Sequence, residues 1–393
     1  MITVAEALKL IKLHMPEFGF SEAKLADLSD EVVAQDLIAD RDYPPFHRVM
    51  MDGIAVSWNV FSEGMREFRV AGICPAGDPQ TSLTDLSTCL EVMTGTPLPI
   101  GSDLVIPYEH IEIKDGVARV TQETSRTYLE NVHLKSSDAK KGDVLLKSGL
   151  SLNGPHWGIA ASVGYASIKA LRKPRINIIS TGDELVAVED QPLNHQIRRS
   201  NAYALKASLK LHGHHEVELS HLSDETQAIE AHYLAESQKF DLMIYSGGVS
   251  KGKFDFLPST WRKLGVTEIF HGISQRPGKP LWFGVDKTTK TTILGLPGNP
   301  VSSLVCLHRY FLSSREIWAK LTEEIIFKKD LTYFMPVKMT FTSEGTLLAT
   351  PLKIKNSGEF SALAESDGFI ELPQDQSLFK AGEAFRFHPW RAI

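Results

Sequence analysis

Between Lys173 and about residue 322, short apolar β-type runs alternate with stretches of helical length, and that alternation leaves little besides a parallel sheet covered by helices. Strands are expected at 176–180, 215–219, 242–245 and 292–294, with helices at 202–212 and 225–237 between them. Three loops rich in glycine, proline or both punctuate this region. They are Ser246-Gly247-Gly248-Val249-Ser250-Lys251-Gly252-Lys253-Phe254-Asp255, Arg276-Pro277-Gly278-Lys279-Pro280 and Gly295-Leu296-Pro297-Gly298-Asn299-Pro300-Val301-Ser302. The first and third follow or close β-type runs, and all three are read as lying at strand ends, where open α/β sheets hold ligands. Glycine lets backbone N–H groups approach an anion, and Lys251, Lys253, Arg276 and Lys279 add positive charge. An anionic, phosphorylated ligand is the expectation.

A fourth loop, Ser180-Thr181-Gly182-Asp183-Glu184-Leu185, follows the apolar run at 176–179. Gly182 and Asp183 have an ordinary use in a strand-to-helix turn. Two adjacent carboxylates at the same sheet edge as the basic loops also suit a divalent cation held on phosphate, or a ligand amine. Asp255 has its own plain use as an N-cap for a helix near Leu257, and Asn299 and Ser302 as turn formers around two prolines. Lys279, pinned between Gly278 and Pro280, has less backbone freedom than a solvated surface lysine needs, which favours a functional role.

The rest of the chain reads differently. At 393 residues it exceeds what one hydrophobic core supports, so several domains are expected. Val4, Leu8 and Ile11 predict an N-terminal helix, and a second helix is expected from near Ser29 through Glu31 and Val32, ending at Tyr43-Pro44-Pro45-Phe46. Residues 46–139 carry β-type runs at 68–71, 89–93, 103–106 and 117–120, which argues for a small β domain. Residues 140–173 return to helical patterning around Trp157 and are expected to pack with the N-terminal helices. Residues 323–393 read as a C-terminal β domain, with Pro336-Val-Lys-Met-Thr-Phe and Ala384-Phe-Arg-Phe as strands. The expected domains are 1–45 with 140–173, then 46–139, 174–322 and 323–393.

Hydrophobic content of 42%, charged content of 23% and a net charge of −6 describe an ordinary globular chain, with no footing for nucleic-acid or membrane-surface binding. No apolar stretch approaches the ~20 residues that span a bilayer. Met1-Ile-Thr-Val-Ala-Glu-Ala-Leu has no basic region followed by an apolar core, so no leader and a cytoplasmic location are expected. Cys74, Cys89 and Cys306 lack metal-type spacing and are expected as small buried hydrophobes in a reducing compartment. His214-His215 also lacks ligand spacing, and Gly247, Gly248 and Gly252 make neither a dinucleotide nor a P-loop fingerprint. Met51-Asp52-Gly53 and Met93-Thr94-Gly95-Thr96-Pro97 are, taken singly, ordinary turn chemistry.

Taken in order, Pro45-Phe46 to Met51-Asp52-Gly53, Met93 to Pro97, Ser180 to Leu185, Ser246 to Ser250 with Asp255, Pro277 to Pro280, and Gly295 to Pro300 resemble the MoeA family, which includes the gephyrin E domain. The likeness runs nearly the whole chain, including Asn356-Ser357-Gly358 to Asp367-Gly368. It implies an elongated homodimer of four-domain subunits: a helical dimerisation region, a lateral β domain, a three-layer α/β domain with a mostly parallel sheet, and a C-terminal β-barrel-like domain. It implies a Mg²⁺-dependent molybdenumtransferase that turns molybdate and adenylylated molybdopterin into molybdenum cofactor and AMP. A molybdopterin adenylyltransferase would deliver substrate and apo-molybdoenzymes would take product. Asp52, Thr94, Glu184 and Lys279 then carry catalysis, with Glu184, Asp255 and Asp52 toward the metal. Asp138, Thr181, Gly182, Asp183, Asp224, Ser246, Gly247, Gly248, Ser250, Asp255, Arg276, Pro297, Gly298, Asn299 and Pro300 bind the pterin nucleotide, with Lys279 and Arg276 on molybdate or phosphate. Asp52 and Thr94 act from across the dimer.

Several positions depart from the family pattern. Val49 stands where Ser is usual, Ile54 where Tyr is, His133 where Arg is, Arg199 where Asp is common, and Arg276 where Lys is. These departures raise an alternative, a catalytically weakened pterin-nucleotide carrier or scaffold. A nucleotide pyrophosphohydrolase on the same α/β domain is a third reading, disfavoured because 45–139 and 323–393 also match the transferase pattern.

Overall fold

The computed structural model describes residues 1–27, 31–122, 125–250, 255–312, 316–352 and 356–391. The chain divides into two compact units, residues 20–171 and the remainder.

In the larger unit a six-stranded sheet has the order Val217–Leu222, Ile176–Thr181, Leu242–Ser246, Thr292–Leu296, Trp282–Val285, Thr267–His271. The first four strands are parallel, and Trp282–Val285 pairs antiparallel with both Thr292–Leu296 and Thr267–His271. The three strands Ile176–Thr181, Leu242–Ser246 and Thr292–Leu296 are buried at every position, as strands covered on both faces must be. Their period-2 geometry sorts the side chains. Ile176, Ile178, Leu242 and Ile244 meet Leu205 and Leu209 of helix Ser200–Leu211 and Val305 of helix Pro300–Tyr310. Ile179, Met243 and Tyr245 meet Ile229 of helix Thr226–Glu236 and Trp261 of helix Leu257–Lys263. The expected strands and helices are thus present; the second strand begins two residues later than the pattern suggested, and the antiparallel pair was not foreseen.

The N-terminal helix Val4–His14, closed by a Thr3/Glu6 capping box, buries Val4, Ala7 and Ile11 in the first of these cores. It therefore clusters with the α/β sheet, whereas the sequence suggested packing with residues 140–173.

The C-terminal strands Ile317–Leu321, Thr332–Phe341, Leu347–Pro351, Gly368–Leu372 and Ala384–Pro389 close into a five-strand barrel. Thr332–Phe341 completes the ring by pairing with both Leu347–Pro351 and Gly368–Leu372. Val337, Ala349, Ile370 and Phe387 fill it. A short strand, Gln275–Arg276, pairs with Thr332–Tyr333 and joins the basic loop of the α/β domain to the barrel.

In the smaller unit a six-stranded sheet has the order Leu104–Pro107, Gly53–Val56, Thr88–Val92, Glu67–Cys74, Val117–Val120, Ile111–Lys114. Beside it in sequence, Phe20–Lys24 pairs with Ser167–Leu171 and Leu37–Ile38 with Val144–Leu146, around a core of Val33, Leu37, Leu152, Trp157 and Ile168. Helix Gly154–Ser162 matches the patterning around Trp157. The second N-terminal helix is a correction. Ser29 lies outside the described residues, and from Glu31 the chain is extended, with Val32 bridged to Ser151 and Val33 to Ala170. The Val33 and Ala34 N–H groups donate to Leu150 and Lys169 carbonyls at 3.0 and 2.8 Å. Two adjacent β-branched residues resist the helix, and long-range pairing holds the extended form.

Candidate functional site

Strand order lays out the site. Thr181 and Leu222 end neighbouring parallel strands, and Glu184 and Asp224 follow them at one end of the sheet's C-terminal edge. Ser246 and Leu296 end the central strands, so Gly247-Gly248 and Pro297-Gly298 fall in the middle. The Arg276–Lys279 loop connects the antiparallel strands. Trp282 lies opposite both His271 and Gly295, which brings that loop to the same edge at its other end. Carboxylates, glycine-rich backbone and cations therefore follow one another along one edge.

They line a cleft of about 940 Å³ within the larger unit. Of the residues expected to bind or act, it brings together Thr181, Glu184, Asp224, Ser246, Gly247, Gly248, Ser250, Asp255, Arg276, Lys279, Pro297, Gly298, Asn299 and Pro300. Gly182 and Asp183 sit in the turn beside it, where Asp183 accepts the backbone N–H of Asp224 at 3.2 Å. Lys251 and Lys253 lie outside the described residues.

The glycines are placed by need. Gly247 and Gly248 have φ of +106° and +67°, and a Cβ on Gly248 would come within 2.8 Å of the Leu257 side chain. The backbone therefore runs against the Leu257–Lys263 helix with no room for a side chain. That helix has Phe256, not Asp255, at its N-cap position. Asn201 donates to the Ser246 hydroxyl at 3.0 Å and to the Gly298 carbonyl at 2.7 Å, tying two loops together. Asn299 donates to the Ser357 hydroxyl at 2.9 Å instead of capping helix Pro300–Tyr310, whose first turn faces the cleft. That leaves the positive end of the helix dipole toward the cleft, an arrangement that favours anions.

Burial, then the neighbouring Asp183, Glu184 and Asp255 carboxylates, pushes the Asp224 carboxyl above its ordinary range. Arg198, Arg199, Arg276, Lys279 and Lys329 supply the opposite sign. Lys329 went unnoticed in the sequence because it lies beyond the α/β segment and reaches the cleft only through the barrel. Asn201, Gln275 and Leu331 also line the cleft without a motif to announce them.

Asp52, Thr94 and Asp138 belong to the smaller unit. Asp52 accepts both the N–H and the hydroxyl of Thr94, at 2.6 and 2.7 Å, and these bonds lower its pKa. Asp138 accepts from His133 at 2.8 Å and from Ser137 at 3.0 Å, and its carboxyl is likewise lowered. Arg48 donates to the other His133 ring nitrogen at 2.9 Å, which makes Nδ1 the acceptor and Nε2–H the donor to Asp138. Val49 and Ile54 are wholly buried among apolar neighbours, so both act as packing positions here.

Among the described residues no group of three or more His, Cys, Asp or Glu is arranged to hold a metal ion. The three cysteines are free and buried, as expected. His214 packs on Phe311, and burial pushes its pKa down to about 4.

Comparison with known proteins gives the same picture. The MoeA N-terminal region (domain I and II) matches residues 2–164, a probable molybdopterin binding domain residues 177–314, and the MoeA C-terminal region (domain IV) residues 318–390. The chain is 52% identical over 390 residues to a molybdopterin molybdenumtransferase of Synechocystis sp., covering 99% of this chain and 100% of the relative. One from Bacillus subtilis is 31% identical over 399 residues, covering 97% and 92%. The crystal structure of a molybdopterin biosynthesis MoeA protein from Pyrococcus horikoshii superposes with a TM-score of 0.83 at 26% identity, over 100% of both chains. From its N-terminal region through its barrel, the chain belongs to the MoeA family.

Proposed function

We infer that the protein is a molybdopterin molybdenumtransferase that consumes molybdate and adenylylated molybdopterin and releases AMP as molybdenum cofactor forms. The observation that carries this reading is the cleft, in which carboxylates, anion-binding backbone and cations succeed one another along one sheet edge. A pyrophosphate-linked pterin nucleotide with a second oxyanion beside it has charge to match each part. Lys279 and Arg276 take molybdate or phosphate, and the Gly247–Gly248 and Pro297–Gly298 loops take the nucleotide.

Glu184, Asp224 and Asp255 are hard oxygen donors, and Asp224 is pushed up first by burial and then by the neighbouring Asp183, Glu184 and Asp255 charges. The three do not make a metal site by themselves, but one or two of them would hold Mg²⁺ with substrate phosphate oxygens completing the coordination, which is how Mg²⁺ is usually bound. Bound there, the ion would stabilise charge developing on the phosphate of the leaving AMP. The chain's own cations and loop N–H groups would hold the substrate's phosphates.

Asp52 and Thr94, in a homodimer, complete the partner's cleft by the family resemblance. A molybdopterin adenylyltransferase upstream, apo-molybdoenzymes downstream and a cytoplasmic location are part of the same proposal. No helix among the described residues is long and apolar enough to cross a membrane. No observation favours the carrier reading: Val49 and Ile54 are core residues, and His133 still engages Asp138.

The test is AMP release from adenylylated molybdopterin with molybdate and Mg²⁺, followed together with activation of an apo-molybdoenzyme. Glu184→Gln should lower both signals by about 100-fold or more while substrate still binds. Tight binding by the wild-type protein without AMP release would overturn the assignment.

A further inference from the structure

Beneath the cationic end of the cleft lies a buried polar trio. Gln275 is 1% exposed, Cys306 0% and Tyr310 6%. The Gln275 amide nitrogen donates to the Pro277 carbonyl at 2.9 Å and approaches Cys306 Sγ at 3.5 Å. Its amide oxygen accepts from the Tyr310 hydroxyl. The Cys306 thiol donates to the Gly278 carbonyl at 3.7 Å. A backbone carbonyl can only accept, so the Pro277 contact fixes which end of the amide is nitrogen, and Tyr310 must then be the donor. The result is a directed chain from Tyr310 through Gln275 to the loop that carries Lys279.

The loop rests on this trio without a gap. Gly278 has φ of +92°, and a Cβ there would collide with Cys306 Sγ and Gln275 Nε2. On the far side of the loop the Lys279 carbonyl accepts from Ile273 N–H at 2.9 Å. A buried primary amide is costly unless its groups are satisfied, and an apolar side chain would fill the same volume without that requirement. What the amide adds is a fixed height and orientation for residues 277–279. Tyr310 and Cys306 lie on helix Pro300–Tyr310, whose first turn lines the same cleft, so one helix supports both the backbone and the cationic parts of the site.

We propose that Gln275, oriented by Tyr310, is a positioning residue that sets where Lys279 and Arg276 meet a tetrahedral oxyanion. This rests on the reading that this end of the cleft takes molybdate or the nucleotide's phosphate. The test uses the full chain in the AMP-release assay, with the KM of molybdate and that of adenylylated molybdopterin measured separately. Lys279→Ala identifies which of the two KM values belongs to this end. Gln275→Leu should raise that same KM about tenfold and leave the other within about twofold, because displacement of a charged group by a fraction of an ångström is felt at the bound group. Tyr310→Phe should act in the same direction, more weakly. In a Lys279→Ala background, Gln275→Leu should have a smaller effect than in the wild type, since the part that acts through that lysine is gone and only the part through Arg276 remains. If Lys279→Ala shifts neither KM, the oxyanion reading falls and takes the proposal with it. If Lys279→Ala shifts one and Gln275→Leu does not, or if the two effects multiply in the double variant, the proposal alone is overturned. Should Gln275→Leu fail to fold, Tyr310→Phe in both backgrounds gives the same comparison.

Discussion

Asp224 is held in the folded protein at a cost in charge. Its carboxyl is raised by burial and by Asp183, Glu184 and Asp255. A carboxyl with a raised folded pKa binds more protons in the folded state, so stability falls as pH rises from the unfolded value of 3.8 through the folded one. Above that window the ionised group is destabilising. Asp224→Asn should therefore hold or raise the thermal midpoint at neutral pH while lowering AMP release, and the gain should vanish below about pH 4. A midpoint that drops at pH 7 would mean Asp224 is a structural acceptor and not part of a cation site. Asp224 was accessible from sequence only through a loose resemblance, because it sits alone after its strand. Asp183-Glu184 announced themselves as adjacent acids in a glycine turn. Asn201 and Lys329 carry no local signal at all: an ordinary polar residue acquires a role only when the fold sets it beside Gly298 or the cleft.

At the scale of elements, the end of the sheet opposite the cleft is fixed by one carboxylate. Asp241, just before strand Leu242–Ser246, accepts from Arg172 at 2.7 and 2.9 Å and from the Arg175 backbone N–H at 2.8 Å, with the Arg175 guanidinium at 3.2 and 3.3 Å. Burial pushes the Asp241 carboxyl up, but these bonds outweigh it and hold it well below the usual carboxylate range. The stability it contributes is present above the unfolded pKa of 3.8 and lost as pH falls through the depressed folded value. Asp241→Asn should cost about 1.5–3 kcal/mol at pH 7 in denaturant unfolding, the range for charge-assisted bonds, and progressively less in acid. A loss under about 0.5 kcal/mol would show the cluster to be solvent-screened. The parallel strands it anchors were legible because double-sided burial writes nearly continuous apolar runs such as Leu242-Met-Ile-Tyr245. The antiparallel pair Thr267–His271 and Trp282–Val285 was not: Glu268 and Gly284 interrupt the runs, and pairing geometry alone decides them. That pair is what carries Lys279 to the cleft edge. At Val32-Val33 the helical reading failed for a similar reason, since the pairing partners, Ser151 and Ala170, are remote in sequence.

For the whole molecule, the cleft and the Asp52–Thr94 pair lie on different compact units. Thr94 locks one carboxylate oxygen of Asp52 with two bonds, and on the proposed function the other oxygen would meet substrate or metal. The family resemblance implies that Asp52 and Thr94 act on the partner's cleft in a homodimer, and, if the protein is that dimer, mixing inactive subunits discriminates this from action within one chain. Asp52→Ala and Glu184→Ala homodimers should each release little AMP. In a heterodimer of the two, action across the interface puts both lesions in one cleft and leaves the other intact. Random reassembly gives heterodimers as about half of all dimers, each with one working cleft of two, so about a quarter of wild-type activity should return. Action within one chain leaves a lesion at every cleft, and mixing then restores nothing. The same mixture run with Asp224→Asn in place of Glu184→Ala should recover equally, because both carboxylates belong to one cleft, whereas Glu184→Ala mixed with Asp224→Asn should recover nothing.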